Sequence, residues 1–325
     1  MSQRLPKSTQ KDLQKKQYGI HNHSAVQICH WNKMSLRGEG ECYKDTFYGV
    51  HTHRCMQFSP ASMWCDQRCI FCWRPTEYMD EKAYDTHDLD TPEQIVEALI
   101  AQREKLLIGF KGNEKVDPDR FYEAVHPDHY AISLSGEPTL YPHLPQMVKY
   151  LKERRNARTV FVVTNAQHPS YFQKLLEEPA CQPTQLYISL EAYGEESFRR
   201  INRPTHPDAW QRLQESLSLF SQLSCRRVIR VTLIKGVNTS REALQALAVL
   251  IRKAAPDFVE IKSYMRLGLS RDRLSEEAML HFDEVEQGER MLLESLGSEY
   301  AHEAASEKSL LVLLKRVTSP HETRI

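Results

Sequence analysis

From residue 129 onward the chain repeats short runs rich in Val, Ile, Tyr and Phe, each bounded by Gly, Pro, Asn or Asp. HYAISLS (129–135), RTVFVVT (158–164), QLYISL (185–190), VIRVTLI (228–234) and FVEIKSY (258–264) have the length and composition of strands. Between them apolar residues fall at helical spacing, as in 92–107 behind Thr91 and 241–255 behind Ser240, where a hydroxyl can cap the first turn. A sixth strand is expected just ahead of Cys65. Strands alternating with helices imply right-handed βαβ units and a parallel sheet, so the pattern predicts an α/β fold, a partial (β/α)6 TIM-like barrel. SLLVLLKR (309–316) predicts an added edge strand, and 109–118 reads as a polar, glycine-containing loop. The expected division is a cysteine-rich N-terminal extension (1–60), the partial barrel (61–297), and an edge strand with a tail (298–325).

In such barrels the chemistry gathers where strands run out into loops. The exits here read Ser135-Gly136-Glu137-Pro138, Thr164-Asn165, Glu191-Ala192 and Lys235-Gly236. All are polar or glycine-bearing and are candidates for an active-site rim.

Composition excludes some classes. The chain has 325 residues, 41% of them hydrophobic, enough for a substantial core. No apolar run approaches the roughly 20 residues of a membrane-spanning helix. The polar first 18 residues lack the apolar centre of a signal peptide, so a cytoplasmic protein without membrane contact is expected. Basic and acidic residues balance at 43 each, so net charge says nothing about partners.

The cysteines say more. Of eight, six lie between positions 29 and 72, and Cys181 and Cys225 read as incidental thiols. Clustered cysteines in a large chain without an export signal point to metal binding rather than disulfides. Cys65-x3-Cys69-x2-Cys72 puts three thiolates on one loop. Three thiolates on a [4Fe–4S] cluster leave one iron open to chelate the amino and carboxylate groups of S-adenosylmethionine. A zinc site is the alternative, but zinc usually closes with a fourth Cys or His. The CxxxCxxC spacing resembles the radical S-adenosylmethionine superfamily. Gly136-Glu137-Pro138 falls where that superfamily has a glycine-rich turn whose backbone and acidic residue contact the methionine amino group, with Ser135 in place of the first glycine. Thr164 and Asn165, at the next exit, are further candidates for cofactor contact.

Upstream, Cys29, Cys42 and Cys55 are separated by 13 residues each, with His30, His51 and His53 close by. A second [4Fe–4S] cluster or a zinc site completed by histidine are both open on spacing alone. The surrounding sequence is more specific. CHWNKMSLR (29–37), CYKDTFYGVHTHRCMQFSP (42–60), WCDQRCIFCWRP (64–75), AISLSGEPTLYP (131–142), INRP (201–204), RVTLIKGVN (230–238) and FVEIKSYM (258–265) resemble the tRNA 4-demethylwyosine synthase family from about residue 24 to about 285. That resemblance implies the radical SAM type of barrel, with Cys65, Cys69 and Cys72 on the radical-generating cluster and Cys29, Cys42 and Cys55 on an auxiliary one. It implies condensation of pyruvate with an N-methylated guanosine of tRNA-Phe, closing a third ring on the base. Lys44, in Cys42-Tyr43-Lys44, fits the lysine proposed to form a Schiff base with pyruvate. A desolvated lysine near a cationic centre can attack a carbonyl.

A tRNA substrate requires a basic rim. Arg199, Arg200, Arg203, Lys235, Arg266, Arg271 and Arg273 all follow predicted strand ends and are the candidate RNA contacts. Leu269, Leu280 and Phe282 depart from the family pattern on loops expected to face the substrate, as does Glu191-Ala192-Tyr193. A monomer served by an external electron donor, such as a flavodoxin or ferredoxin, is expected. The alternatives are a two-cluster radical enzyme acting on another base or small substrate, and a non-catalytic zinc or nucleic-acid-binding protein.

Overall fold

The computed structural model describes residues 4–76, 79 and 84–325. Among these, ten strands form one sheet in the order β1-β2-β3-β4-β5-β6-β7-β8-β10-β9. Its centre is six parallel strands: β3 (Cys55–Ser59), β4 (His129–Ile132), β5 (Thr159–Thr164), β6 (Gln185–Ser189), β7 (Arg226–Leu233) and β8 (Phe258–Ser263). These are the six units expected, and the sheet is open, as a partial barrel must be. The sixth strand, β3, begins at Cys55 itself. Strand β4 stops at Ile132, because the amides of Ser133 and Leu134 donate across to Phe58 O (3.1 and 3.3 Å) and turn the chain away.

The N-terminal hairpin, β1 (Tyr18–His21) and β2 (Ser24–Gln27), extends the sheet antiparallel to β3. At the other end, β10 (Leu311–Arg316) is not the edge strand expected of it. It lies between β8 and β9 (Tyr300–Ser306), and β9 takes the edge. The burial pattern gives the reason: β10 begins with four consecutive buried residues, so both of its faces are covered, whereas β9 is largely exposed.

Period-two alternation sorts each parallel strand into two faces. Val160, Val162, Leu186, Ile188, Ile229, Val231, Val259 and Ile261 point outward into the main core, beneath helices such as α4 (Pro92–Leu107) and α10 (Arg241–Ala254). Thr91 and Gln94 close a reciprocal capping box on α4, and Ser240 caps α10. Phe161, Tyr187, Val228 and Phe258 point inward, where Phe47 and Tyr48 of the short helix α3 (Tyr43–Tyr48) plug the barrel. Each such buried ring contributes about 1.5–3 kcal/mol. The C-terminal tail closes that end: the Arg226 guanidinium donates to Glu322 O and Thr323 O, and the amide of Ile325 to Tyr48 O. The opposite end, at the strand C-termini, is left for chemistry.

Candidate active site

The loop after β3 carries Cys65, Cys69 and Cys72 across the C-terminal ends of the strands. Irregular backbone there must find hydrogen-bond partners. The amide of Arg68 donates to Asn202 O and Arg203 O (3.0 and 3.1 Å), and that of Ile70 to Ile201 O (2.9 Å), so the 201–204 segment splints the loop. Arg273 reaches in from beyond β8 and donates to Ile70 O, Cys72 O and Arg74 O.

The three thiols line a cleft of about 180 Å³ together with Ser135, Gly136, Glu137, Thr164, Asn165 and Glu191. Asn165 Nδ2 lies 3.8 Å from Cys65 Sγ, and Asn202 Nδ2 lies 3.7 Å from Cys69 Sγ. Ser135 Oγ, Gln67 Nε2, Glu191 Oε1 and Asn202 Oδ1 are buried polar atoms without partners among the described residues. Such a concentration is rare in a protein interior and marks a place for a polar ligand. Burial pushes the Cys65 and Cys69 thiols well above their usual pKa, reinforced for Cys65 by the charge of Asp66 and for Cys69 by Cys72 and Glu191. A metal group seated here must displace the protons, as metal binding to thiols does. Amide donors around the sulfurs and open polar atoms beside them fit an iron–sulfur cluster held at three corners.

Gly136 shows how tightly the turn is drawn against this loop. Its φ is +71°, and a Cβ there would sit 1.9 Å from Ala61 O and 2.6 Å from Trp64 O. The amide of Glu137 donates to Trp64 O at 2.8 Å. The Glu137 carboxylate accepts from Thr139 N and Oγ1, Thr164 Oγ1 and Asn165 N at 2.6–3.1 Å, ahead of the short turn opened by Pro138. Both of its oxygens are therefore engaged, and the carboxylate orders the turn between two strand exits. Burial, then the charge of Asp66, raises its pKa.

The other three cysteines start three different elements. Cys29 precedes α2 (His30–Leu36) and accepts from Asn32 N, Cys42 precedes α3, and Cys55 opens β3. Asn32 links Cys29 to Cys55 by donating through Nδ2 to Thr52 O, His53 O and Cys55 O, at 2.7, 3.2 and 3.0 Å, while Cys42 N donates to Thr52 Oγ1 at 3.0 Å. Cys42 lies close enough to Lys44, Cys29 and Cys55 to feel their charges, and burial pushes its thiol up to about 12. His53 has both ring nitrogens engaged, by Glu123 Oε2 (2.5 Å) and Ser35 Oγ (3.4 Å), which removes it as a ready fourth ligand. Among the described residues, no three His, Cys, Asp or Glu side chains converge as one metal ion would require.

Inside the barrel, Lys44 Nζ sits 4.7 Å from the centre of the Phe161 ring and 5.8 Å from that of Tyr187. Around it are charges that the strand-exit reasoning passed over. Arg230 is ion-paired with fully buried Glu260 (2.8 Å), which also accepts from Tyr48 OH and Tyr43 OH. Two residues on, burial brings Lys262 down to about 8. The missed signal was present: Arg230, Glu260 and Lys262 occupy the inward positions of strands whose alternate residues are Ile, Val and Ile.

The basic candidates diverge. Arg199 pairs with Glu195, Arg200 donates to Tyr193 OH, and Arg271 donates to Arg266 O. Arg266 lies 3.9 Å from Glu276, and Arg203 is exposed in a left-handed conformation (φ 46°). Arg273 holds the cysteine loop. Lys235 is paired with Glu284 at an open groove of about 1080 Å³ that also holds Glu276, Glu277, Asp283, Leu280 and Phe282. The departures at Leu280 and Phe282 thus lie at an acid-rich groove outside the cysteine cleft. Leu269 donates its amide to Trp73 O beside the cleft.

Residues 60–248 match the radical SAM superfamily, and 253–316 match a domain described as wyosine base formation. The chain is 41% identical, over 96% of its length and 90% of the relative's, to the S-adenosyl-L-methionine-dependent tRNA 4-demethylwyosine synthase of Pyrococcus abyssi. It is 38% identical, over 96% of both chains, to that of Methanocaldococcus jannaschii. A solved structure of TYW1 with a lysine-pyruvate adduct bound superposes with a TM-score of 0.84 at 36% identity, covering 99% of this chain and 98% of that one.

Proposed function

The chain belongs to the S-adenosyl-L-methionine-dependent tRNA 4-demethylwyosine synthases of the radical SAM superfamily, and we propose that it condenses N1-methylguanosine of tRNA-Phe with pyruvate to form the tricyclic 4-demethylwyosine base. The observation that supports this reading is that Lys44 lies inside the barrel close enough to act on Cys42 and Cys55, while Cys65, Cys69 and Cys72 line a cleft at the strand ends of the same barrel. An open-cornered iron–sulfur cluster, when bound, supplies one-electron cleavage of S-adenosylmethionine and thus a 5′-deoxyadenosyl radical.

The chain's own residues do the rest. Cys65, Cys69 and Cys72 would hold that cluster, with Asn165 and Asn202 donating toward two of the sulfurs. The partnerless oxygens of Ser135 and Glu191 offer hydrogen-bond acceptors to the ammonium of the methionine moiety. Cys29, Cys42 and Cys55 would hold a second cluster. Lys44 attacks the pyruvate carbonyl carbon as the free amine, water leaves, and a Schiff base fixes the acid beside the base to be modified. The walls of Phe161, Tyr187 and Phe47 keep bulk water from that linkage. The pyruvate carbonyl carbon closes the new ring together with the N-methyl carbon, the pyruvate methyl stays on it as a substituent and the carboxyl carbon is lost, so the enzyme acts as a carbon–carbon lyase. It works as a monomer, takes its electrons from a separate flavodoxin or ferredoxin, and meets the tRNA with the exposed arginines after β6 and β8.

The test is anaerobic reconstitution followed by iron and sulfide analysis, then assay with dithionite, S-adenosylmethionine, pyruvate and N1-methylguanosine-containing tRNA. About eight irons per chain and a new tricyclic nucleoside are expected. 5′-Deoxyadenosine without the nucleoside would send the search to another substrate, and about four irons would remove the auxiliary cluster.

A further inference from the structure

The mechanism above leaves one half-buried cation inside the barrel without a task. Lys262 lies on β8 with Val259 and Ile261 facing the outer core, while Phe258 and Glu260 face inward. By that alternation its side chain enters the barrel, one inward position nearer the open end than Glu260. Its backbone neighbours are Thr232 on β7 and Leu311 on β10. Thr232 lies against Glu191, which is close enough to Cys69 to raise its thiol. On its other side Lys262 feels the charge of Cys42. It therefore stands between Cys42 of one triad and Glu191, which lines the cleft of the other.

Lys262 Nζ makes no hydrogen bond or ion pair among the described residues. Glu260, its nearest acid along the strand, is already engaged by Arg230, Tyr43 and Tyr48. A half-buried ammonium on the inner wall with no bonded counter-ion is open to a ligand that brings one. The anion must be small, because Phe47, Phe161 and Tyr187 fill the space below.

We propose that Lys262 is a positioning residue whose ammonium receives the carboxylate of the α-keto acid co-substrate, holding it while Lys44 engages the carbonyl. This inference rests on the pyruvate reading above and goes beyond it in giving the acid a two-lysine seat. The competing source of a carboxylate is the methionyl end of S-adenosylmethionine.

The experiment uses the reconstituted full chain without S-adenosylmethionine. Pyruvate is titrated in the presence of cyanoborohydride, and the trapped adduct is counted by intact mass in wild type, Lys262→Met and Lys262→Arg. Iron content and circular dichroism establish that each variant is loaded and folded. Loss of one charge-assisted hydrogen bond should raise the half-saturating pyruvate concentration about 10- to 100-fold in Lys262→Met. Trapping is regained at high pyruvate, and Lys262→Arg recovers part of the loss. Methyl pyruvate, which lacks the charge, should separate wild type from Lys262→Met by less than about threefold. Half-saturation unchanged in Lys262→Met overturns the proposal. So does a fall in S-adenosylmethionine affinity with pyruvate unaffected, which would assign the carboxylate to that cofactor. An adduct lost in Lys262→Met but kept in Lys44→Ala would make Lys262 the nucleophile instead. If wild type itself traps no pyruvate, the co-substrate reading fails at its own step and this inference falls with it.

Discussion

Cutting the Arg230–Glu260 pair tests whether the charged barrel interior is built as described. Glu260 is fully buried and takes Arg230 Nε and Nη2 on one oxygen, at 2.9 and 2.8 Å, with Tyr48 OH at 2.8 Å on the other. Arg230→Met leaves that carboxylate with phenols alone. At an effective dielectric of about 20, opposite charges about 3–4 Å apart interact by roughly 4–5 kcal/mol. Removing one partner of a buried pair typically costs about 3–5 kcal/mol. The expected loss is therefore about 3–5 kcal/mol, a large share of the 5–15 kcal/mol typical of a native domain. The double variant Arg230→Met/Glu260→Leu should lose much less, because no orphaned charge remains, and should show a coupling of at least about 2 kcal/mol. Urea unfolding at constant m gives both numbers. A single-variant loss below about 1 kcal/mol, or a double variant whose losses simply add, would refute the reasoning.

Gly136→Ala should lower stability by at least about 1–2 kcal/mol from its left-handed backbone alone, before the clash with Ala61 O is relieved. Because relief moves the cysteine loop, S-adenosylmethionine affinity by equilibrium dialysis should fall with it. His23 donates through Nδ1 to Pro60 O (2.6 Å) and accepts at Nε2 from Asp90 N (3.0 Å), a pattern only the neutral ring supplies. Burial holds its pKa below 6.5, so its contribution is complete above about pH 6.5 and lost as pH falls through the lower folded value. Between pH 7 and 5, unfolding midpoints of wild type should therefore fall more steeply than those of His23→Asn. Cys65→Ala should abolish 5′-deoxyadenosine formation, whereas Cys42→Ala should retain uncoupled formation without tricyclic product. Tricyclic base from the Cys42 variant would remove the auxiliary site from the reaction.

The six parallel strands were legible because each is a short β-branched or aromatic run closed by a breaker. The cysteine loop was legible because its three cysteines lie within eight residues and carry their spacing with them. Strand β10 was found but misplaced, since its apolar run reveals burial without revealing which neighbours supply it. The basic residues were read as one rim, yet Arg273 is a strut of the cysteine loop and Lys235 belongs to an acid-rich groove. Side-chain partners that distant in sequence leave no local trace.

What the sequence by itself determined was therefore local: strand and helix periodicity, caps, the tight turn at Gly136 and the spacing of the ligands within one loop. Only the tertiary structure decided what meets what. Cys29, Cys42 and Cys55 open three separate elements and are drawn near one another through Asn32, which bonds Cys29 Sγ, Thr52 O and Cys55 O, and through Thr52, whose hydroxyl accepts from Cys42 N. Arg230, Glu260 and Lys262 alternate with apolar neighbours, and the curl of the open sheet into a partial barrel turns that alternation inward. Charges unremarkable along a strand thereby become a desolvated site, because the field a side chain feels depends on the groups the fold packs around it.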